Sequence, residues 1–540
     1  MDSFGSFGSF AVVEDRNILP TSSKLLSSSK KSQRTFHPSI RGSQIRNIDV
    51  RLERSDPYGV MPLGCSLLEA STSSSEAIGS NGLGRFHSLP DELLSYVFSF
   101  FDTQSLCRVS LASKTLYAHA HGEGLQHFRE LVIKELERTP GLCFNFEEDW
   151  KTSLASLHWK KINVGGNVEF PINKYKHVPI SVRGVVYSDL LFKHFICANA
   201  DISESWIKDA NLNQVDNSCL EPTDFFTKYE ETNTPVVIRG AVSKWPAMKL
   251  WTDTGLIERC SRSSLFHCGG VRLSMEAYLR YMHQTTSRDD RPLYLFERHF
   301  LTLGDEQMTS EFSVPPFFAD DLQQLLKPFG LVPDYRWLII GPRKSGSTFH
   351  KDPNASSAWN ALIRGRKAWI FYPPESVPPG VVIGSNNDQS SEIATPASVM
   401  EWYIDCFAQH RSRLRKSRNP SITDRDRRGP LCGIQEPGDV VFVPCGWWHQ
   451  VLNLEDSVCV THNFISPRNL QGALDIMRDD PSALSGFPSG KEGEVYNAFI
   501  NALEKERPEV LRKESKEKVS VTKLVKSKWF ASTSDFVFEF

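Results

Sequence analysis

The sequence predicts an all-β barrel or jelly roll with helical additions, preceded by a small helical unit and a polar tail. Three observations lead there. Between Asn233 and Phe464 short apolar runs recur at close spacing, separated by Gly and Pro turns, the pattern of a closed or doubled sheet. Residues 86–120 instead carry their apolar side chains at helical spacing. Residues 1–84 are rich in Ser and Gly and sustain neither period, which predicts a disordered tail.

Composition narrows the function classes. A chain of 540 residues has room for about two to four domains. The formal net charge of −2 gives no global attraction to nucleic acid or to an anionic membrane, so such contacts would be local. The 11 cysteines include no CxxC pair and fit neither a disulfide framework nor a zinc knuckle. No apolar run approaches the roughly 18 residues of a membrane span. The N-terminus has no basic stretch leading into an apolar one, so it does not read as a secretory signal. A reducing compartment is expected, the nucleus or also the cytoplasm.

Taken in order, the tail (1–84) holds Lys30, Lys31 and Arg34, readable as a weak nuclear-import patch or as solvated charge. In the helical unit (85–135), Ser88 is expected to cap a helix whose first turn holds Pro90, Asp91 and Glu92. Leu93, Leu94, Val97, Phe98 and Phe101 follow at helical spacing, and Leu106, Val109, Leu111 and Leu116 continue in a second block. Read plainly, this is a small helical bundle. A connector (136–225), expected to pack against the helical unit and the barrel, carries Trp150, Trp159, Trp206 and an apolar stretch at Val185–Tyr187. In the barrel region (226–466), strands are expected at Pro235–Ile238, Leu293–Phe296 and Tyr335–Pro342, with a short helix at Pro315–Leu326. The C-terminal part (467–540) returns to helix: Ser466–Asp480, with Ser466 as cap, then Gly493–Leu511, then a mixed-charge end.

The chemistry centres on three residues. His350 and Asp352 stand two apart, and on a strand such side chains share one face. His449, in GDVVFVPCGWWHQVLNL, can complete a set of two His and one Asp. That is the facial triad of non-haem Fe(II) oxygenases, which leaves coordination positions open. An HxD tripeptide also arises by chance, and His449 could equally be a histidine in an aromatic corner beside Trp447 and Trp448.

Two resemblances weigh on these alternatives. The stretch FHSLPDELLSYVFSFFDTQSLCRVSLASK resembles an F-box, which implies docking on a Skp1-type adaptor of a ubiquitin ligase through exposed Leu and Pro residues. The segments PLYLFE, FFADDL, YRW, FHKDP, SAWNALIRGRKAW, VFVPCGWWHQVLNL and THNF, in order from Pro292 to Phe464, resemble a JmjC-domain oxygenase. They are most similar to the jumonji group combining arginine demethylases and lysyl hydroxylases, and the F-box fusion is similar to a plant-type member. The resemblance implies a double-stranded β-helix binding Fe(II) through His350, Asp352 and His449, with 2-oxoglutarate as co-substrate and O2 as oxidant. Lys367 would neutralise the far carboxylate of 2-oxoglutarate, whose burial unpaired would be costly. Asn360, expected on the same strand as Lys367, and Thr461 would contact the same co-substrate. Tyr294 and Asn463 are further candidates, as is Ser347, which stands where the family has Thr and keeps the hydroxyl.

The family chemistry is oxidative decarboxylation coupled to hydroxylation. On an N-methyl carbon it ends in demethylation, and on a lysine side-chain carbon the hydroxyl stays. Histones or other nuclear proteins methylated on arginine or lysine are the implied substrate class, lysyl hydroxylation the alternative, and a ubiquitin-ligase receptor role a third. The basic insertion Arg411–Arg428 reads as a solvated loop, an import signal or a contact for nucleic acid.

Overall fold

The computed structural model describes residues 58–62, 83–122, 126–139, 144–163, 169–183, 186, 188–261, 263–285, 289–384, 393–418 and 429–511. The patch at Lys30, Lys31 and Arg34, residues Val185 and Tyr187, and the mixed-charge end lie outside these. One part of the expected tail is ordered. Tyr58 and Val60 are buried, and Val60–Met61 pairs in parallel with Val182–Arg183. Sequence composition missed it because so short a strand shows no period of its own.

The N-terminal helices are α1 (Asp91–Ser99), α2 (Thr103–Ser110), α3 (Lys114–His121) and α4 (His127–Arg138). The expected second block is thus two helices. Asp102 and Ser113 accept from the backbone N–H groups of Ser105 and Leu116 and so start α2 and α3. Ser88 does not cap. It ends a 3-10 turn, Gly84–Ser88, and Pro90 occupies the cap position of α1 with its ring-fixed φ. Leu94, Phe98, Leu106 and Leu116 point inward, whereas Leu93 and Leu111 face solvent.

This helical unit is not a separate bead. Its core is continuous with that of the barrel through α5 (Trp150–Ile162). Phe146 and Trp150 pack on Tyr281 at 5.2 and 5.8 Å between ring centroids. Arg129 of α4 donates to the backbone carbonyls of Arg291 (3.1 Å) and Gly269 (3.2 Å). Helix α6 (Asp189–Asn199) then leads to the barrel.

The barrel strands are β1 (Asn213–Asp216), β2 (Val236–Arg239), β3 (Phe266–Cys268), β4 (Val271–Leu273), β5 (Leu295–Glu297), β6 (Arg336–Gly341), β7 (Gly346–His350), β8 (Ser357–Arg364), β9 (Lys367–Tyr372), β10 (Leu431–Gln435), β11 (Val440–Val443), β12 (Trp448–Asn453) and β13 (Ser457–Phe464). They form a nine-stranded sheet, β1-β2-β11-β8-β13-β6-β5-β3-β4, and a four-stranded sheet, β10-β9-β12-β7. Trp369, Phe371 and Val451 of the small sheet pack with Val237, Ala358, Val441 and Val443 of the large one. The two sheets thereby enclose the interior as a double-stranded β-helix does.

The turn at Gly365, with φ +80°, carries the chain from one sheet to the other. Asn360 and Lys367 therefore lie on different strands, β8 and β9, contrary to expectation. The helix expected at Pro315–Leu326 is instead two 3-10 turns, Pro316–Phe318 and Leu322–Phe329, the second interrupted by Pro328.

Helix α7 (Phe407–Ser417) ends in the basic stretch, and helices α8 (Leu470–Asp479) and α9 (Glu492–Glu506) close one flank. Ser466 does not cap α8, which begins beyond Asn469; its hydroxyl bonds the Asn469 side chain instead. No described helix is long and apolar enough to cross a membrane.

The shared core makes a prediction. Phe128→Ala should cost about 3–5 kcal/mol by cavity formation. Urea unfolding of the full chain should still show one transition, with helical and barrel probes shifting together. Two separated transitions would mean that the helical unit unfolds alone.

Candidate metal centre

Strands β7 and β12 run antiparallel, with His350 opposite His449. Their imidazole centroids lie 4.1 Å apart. Asp352 sits just past the end of β7, not on it as the strand argument supposed; its backbone stays extended as it leads into a 3-10 turn at Pro353–Ala355. The extension keeps its carboxylate on the side of His350, and Asp352 Oδ1 lies 3.9 Å from His449 Nε2. One ligand atom from each of the three residues falls within 4.8 Å of the others.

The chain fixes both histidines. Nδ1 of His350 donates to the Thr348 carbonyl at 2.8 Å, and Nδ1 of His449 to the Trp447 carbonyl at 3.1 Å. Each Nε2 then keeps its lone pair. Burial, and for His350 also the neighbouring His449, pushes both imidazole pKa values down to about 4, so both are neutral at neutral pH. Burial raises Asp352 to about 6. Its Oδ2 is buried and has no hydrogen-bond partner among the described residues. Such a group is costly to leave unpaired, and a cation here would satisfy it.

Deeper in the barrel, Lys367 is buried on β9, where its ammonium donates to Tyr294 Oη (3.1 Å) and Asn453 Oδ1 (2.9 Å). Burial opposes its charge, yet Cys459 and Tyr294 hold its pKa above the usual lysine value. Asn360 donates to Cys459 Sγ at 3.5 Å, and its Oδ1 is buried without a partner among the described residues. Thr461, opposite Asn360 in the β8–β13 pairing, donates to the Trp359 carbonyl at 3.1 Å. Asn463, two residues on, donates to Ser356 Oγ at 2.9 Å. Ser347 lies on β7 opposite Val451. Trp369 and Phe371 stack on His449 at 6.2 and 6.1 Å and wall it in.

Two residues of this region escaped the sequence reading, Asn453 and Ser345. Counting by twos from His449 along β12 reaches Asn453 on the same face. No local pattern marks Ser345.

The comparisons with known proteins fit this geometry. A cupin-like domain model matches residues 270–469 and an F-box-like model residues 86–129. The chain is 32% identical to the arginine-specific demethylase JMJ22 of Arabidopsis thaliana, over 90% of this chain and 89% of that one. It belongs to the JmjC family of Fe(II)- and 2-oxoglutarate-dependent oxygenases. The bifunctional arginine demethylase and lysyl-hydroxylase psr-1 of Caenorhabditis elegans is 32% identical over 56% of this chain and 70% of that one. The 2-oxoglutarate and iron-dependent oxygenase JMJD4 of Mus musculus is 30% identical over 32% and 36%.

The residues of this JmjC oxygenase suit the group its family uses. Two neutral imidazoles and one carboxylate are the donor set of a facial-triad iron, and the unpartnered Asp352 Oδ2 is an observation a metal explains. Three of the five described basic residues of the Arg411–Arg428 stretch have other partners. Arg411 and Arg418 face Asp209, Arg413 donates to the Val377 carbonyl, and residues 419–428 lie outside those described.

Gly346 is the close point of the β7–β12 pairing. A Cβ there would stand 1.9 Å from the Val451 carbonyl oxygen. Gly346→Ala should push β7 off β12, costing about 1–3 kcal/mol as overpacking does, and weaken Fe(II) binding at least about tenfold, as lost ligand support does. Anaerobic metal titration with thermal melting checks both.

Proposed function

We propose that this oxygenase demethylates methylated arginine, or lysine, in a histone or another nuclear protein. The observation that carries the reading is the His350–Asp352–His449 cluster, its two histidines buried, in a chain alike, over nine-tenths of its length, to a protein named as an arginine-specific demethylase. When bound, iron with 2-oxoglutarate and O2 supplies oxidative decarboxylation coupled to hydroxylation of a C–H bond. The chain's part is placement. His350 and His449 present fixed lone pairs, Asp352 brings the balancing charge, and Lys367 receives the far carboxylate of the co-substrate. Trp369 and Phe371 keep water from the ligands. Hydroxylation of an N-methyl carbon gives a hemiaminal that releases formaldehyde.

Lysyl hydroxylation is the second reading, supported by the likeness to the bifunctional psr-1. A third role can coexist with either. On the helical unit Leu93, Tyr96, Phe100 and Leu111 are 50–71% exposed, and Tyr96 and Phe100 pack edge to face at 4.9 Å. Together with exposed Pro90 they offer an apolar face suited to a Skp1-type adaptor. The nuclear location rests on the substrate reading. Exposed Arg415 and Lys416 supply the local charge that a nucleic-acid contact would need.

Succinate and formaldehyde release by the full-length protein with Fe(II), O2 and methylated or unmodified peptides tests the reading. Formaldehyde from a methyl-arginine peptide is expected. His350→Ala should lower turnover by more than about a hundredfold, beyond what loss of a supporting residue brings. A peptide that gains one oxygen without formaldehyde would establish the hydroxylase instead.

A further inference from the structure

Lys367 is donor-only, and its surroundings must supply acceptors. One comes from Asn453, fully buried on β12, whose Oδ1 lies 2.9 Å from the ammonium. An amide side chain can turn either end toward a neighbour, and here the neighbours dictate which. Ser345 Oγ donates its only proton to the Pro342 carbonyl at 2.6 Å. Its lone pair can then only accept, which it does from Asn453 Nδ2 at 2.8 Å. A carbonyl that cannot donate stands at one end of this chain and an ammonium that cannot accept at the other, so its polarity has a single solution.

The backbone locks the same pair. Asn453 N–H donates to the Ser345 carbonyl at 2.8 Å, and Lys344 N–H to the Asn453 carbonyl at 2.9 Å. Lys344, buried with φ +73°, holds the turn to the end of α6 by donating to the Ala198 carbonyl at 2.7 Å. The Ser345 turn is thus fixed from outside the barrel, and Asn453 is fixed by that turn.

We infer that Asn453, oriented by Ser345, is a positioning residue that holds the Lys367 ammonium in place for the far carboxylate of 2-oxoglutarate. The inference rests on the reading of Lys367 as the partner of that carboxylate. Asn453 leaves Lys367 its full positive charge because it is a neutral acceptor. An aspartate of the same shape would neutralise it and compete with the co-substrate.

The test compares Asn453→Ala, Asn453→Asp, Ser345→Ala and Lys367→Ala in the full-length protein. Calorimetric titration with 2-oxoglutarate is run anaerobically on Mn(II)-loaded protein, beside metal titration, thermal melting and steady-state kinetics. Asn453→Ala should weaken 2-oxoglutarate binding about tenfold, the scale of a hydrogen bond to a charged group. Asn453→Asp should weaken it more despite its closer shape, and Ser345→Ala should weaken it less. Metal affinity should hold in all three, and the kinetic loss should fall on KM for 2-oxoglutarate rather than on kcat. Folded Asn453→Asp protein that binds 2-oxoglutarate within about twofold of wild type would overturn the inference, since a carboxylate held against Lys367 must compete with the co-substrate for its charge. So would equal effects of Ala and Asp that merely follow lost thermal stability. If Lys367→Ala binds 2-oxoglutarate as wild type does, the underlying reading of Lys367 fails, and the inference with it.

Discussion

The antiparallel contact between β7 and β12 is the constraint on which the site depends. It sets His350 opposite His449, and beyond an irregularity between His449 and Val451 the backbones approach too closely at Gly346 for any side chain there. A slip of one residue would turn one histidine to the outer face of the small sheet. Asp352 needs only to continue the extended chain beyond His350, while Val451 and Asn453 inherit the inward face from His449.

Around that contact the barrel stores groups whose burial is unfavourable by itself. Asp352 and Lys367 are ionisable side chains in a largely apolar enclosure, and Asn360 carries a buried carbonyl oxygen without a partner among the described residues. Isolated, each would be expensive. They fall into two groups: Asp352 beside His350 and His449, where a cation would satisfy the carboxylate, and Lys367 with Asn360, where the ammonium could receive an anion. Neighbours that carry no net charge, Tyr294, Asn453 and Ser345, orient the Lys367 ammonium without cancelling its charge.

The helical N-terminal unit gains its stability from the same core. Arg129 reaches the barrel carbonyls of Arg291 and Gly269, and Tyr58 from the described part of the tail is buried near Phe128. A partner seated on Leu93, Tyr96 and Phe100 would therefore be held at one fixed position relative to the oxygenase.

Sequence by itself marked the candidate chemistry: His350, Asp352 and His449 as a possible metal set, Lys367, the F-box pattern and the alternation of short strands were all legible. Side-chain period carries the strands and the shared face of the triad, whereas Lys367 and the F-box were legible through the resemblance to known families. Two local expectations failed for local reasons, since Pro90 displaced Ser88 as helix start and Asp352 left the strand before a proline. Only the tertiary structure decided which strands share a sheet. Asn360 and Lys367 stand seven residues apart on opposite sheets, because one glycine turn lets the chain cross the barrel. The roles of Asn453 and Ser345 were likewise invisible, since a hydrogen bond between residues 108 positions apart exists only once β12 and the β6–β7 turn have been brought together.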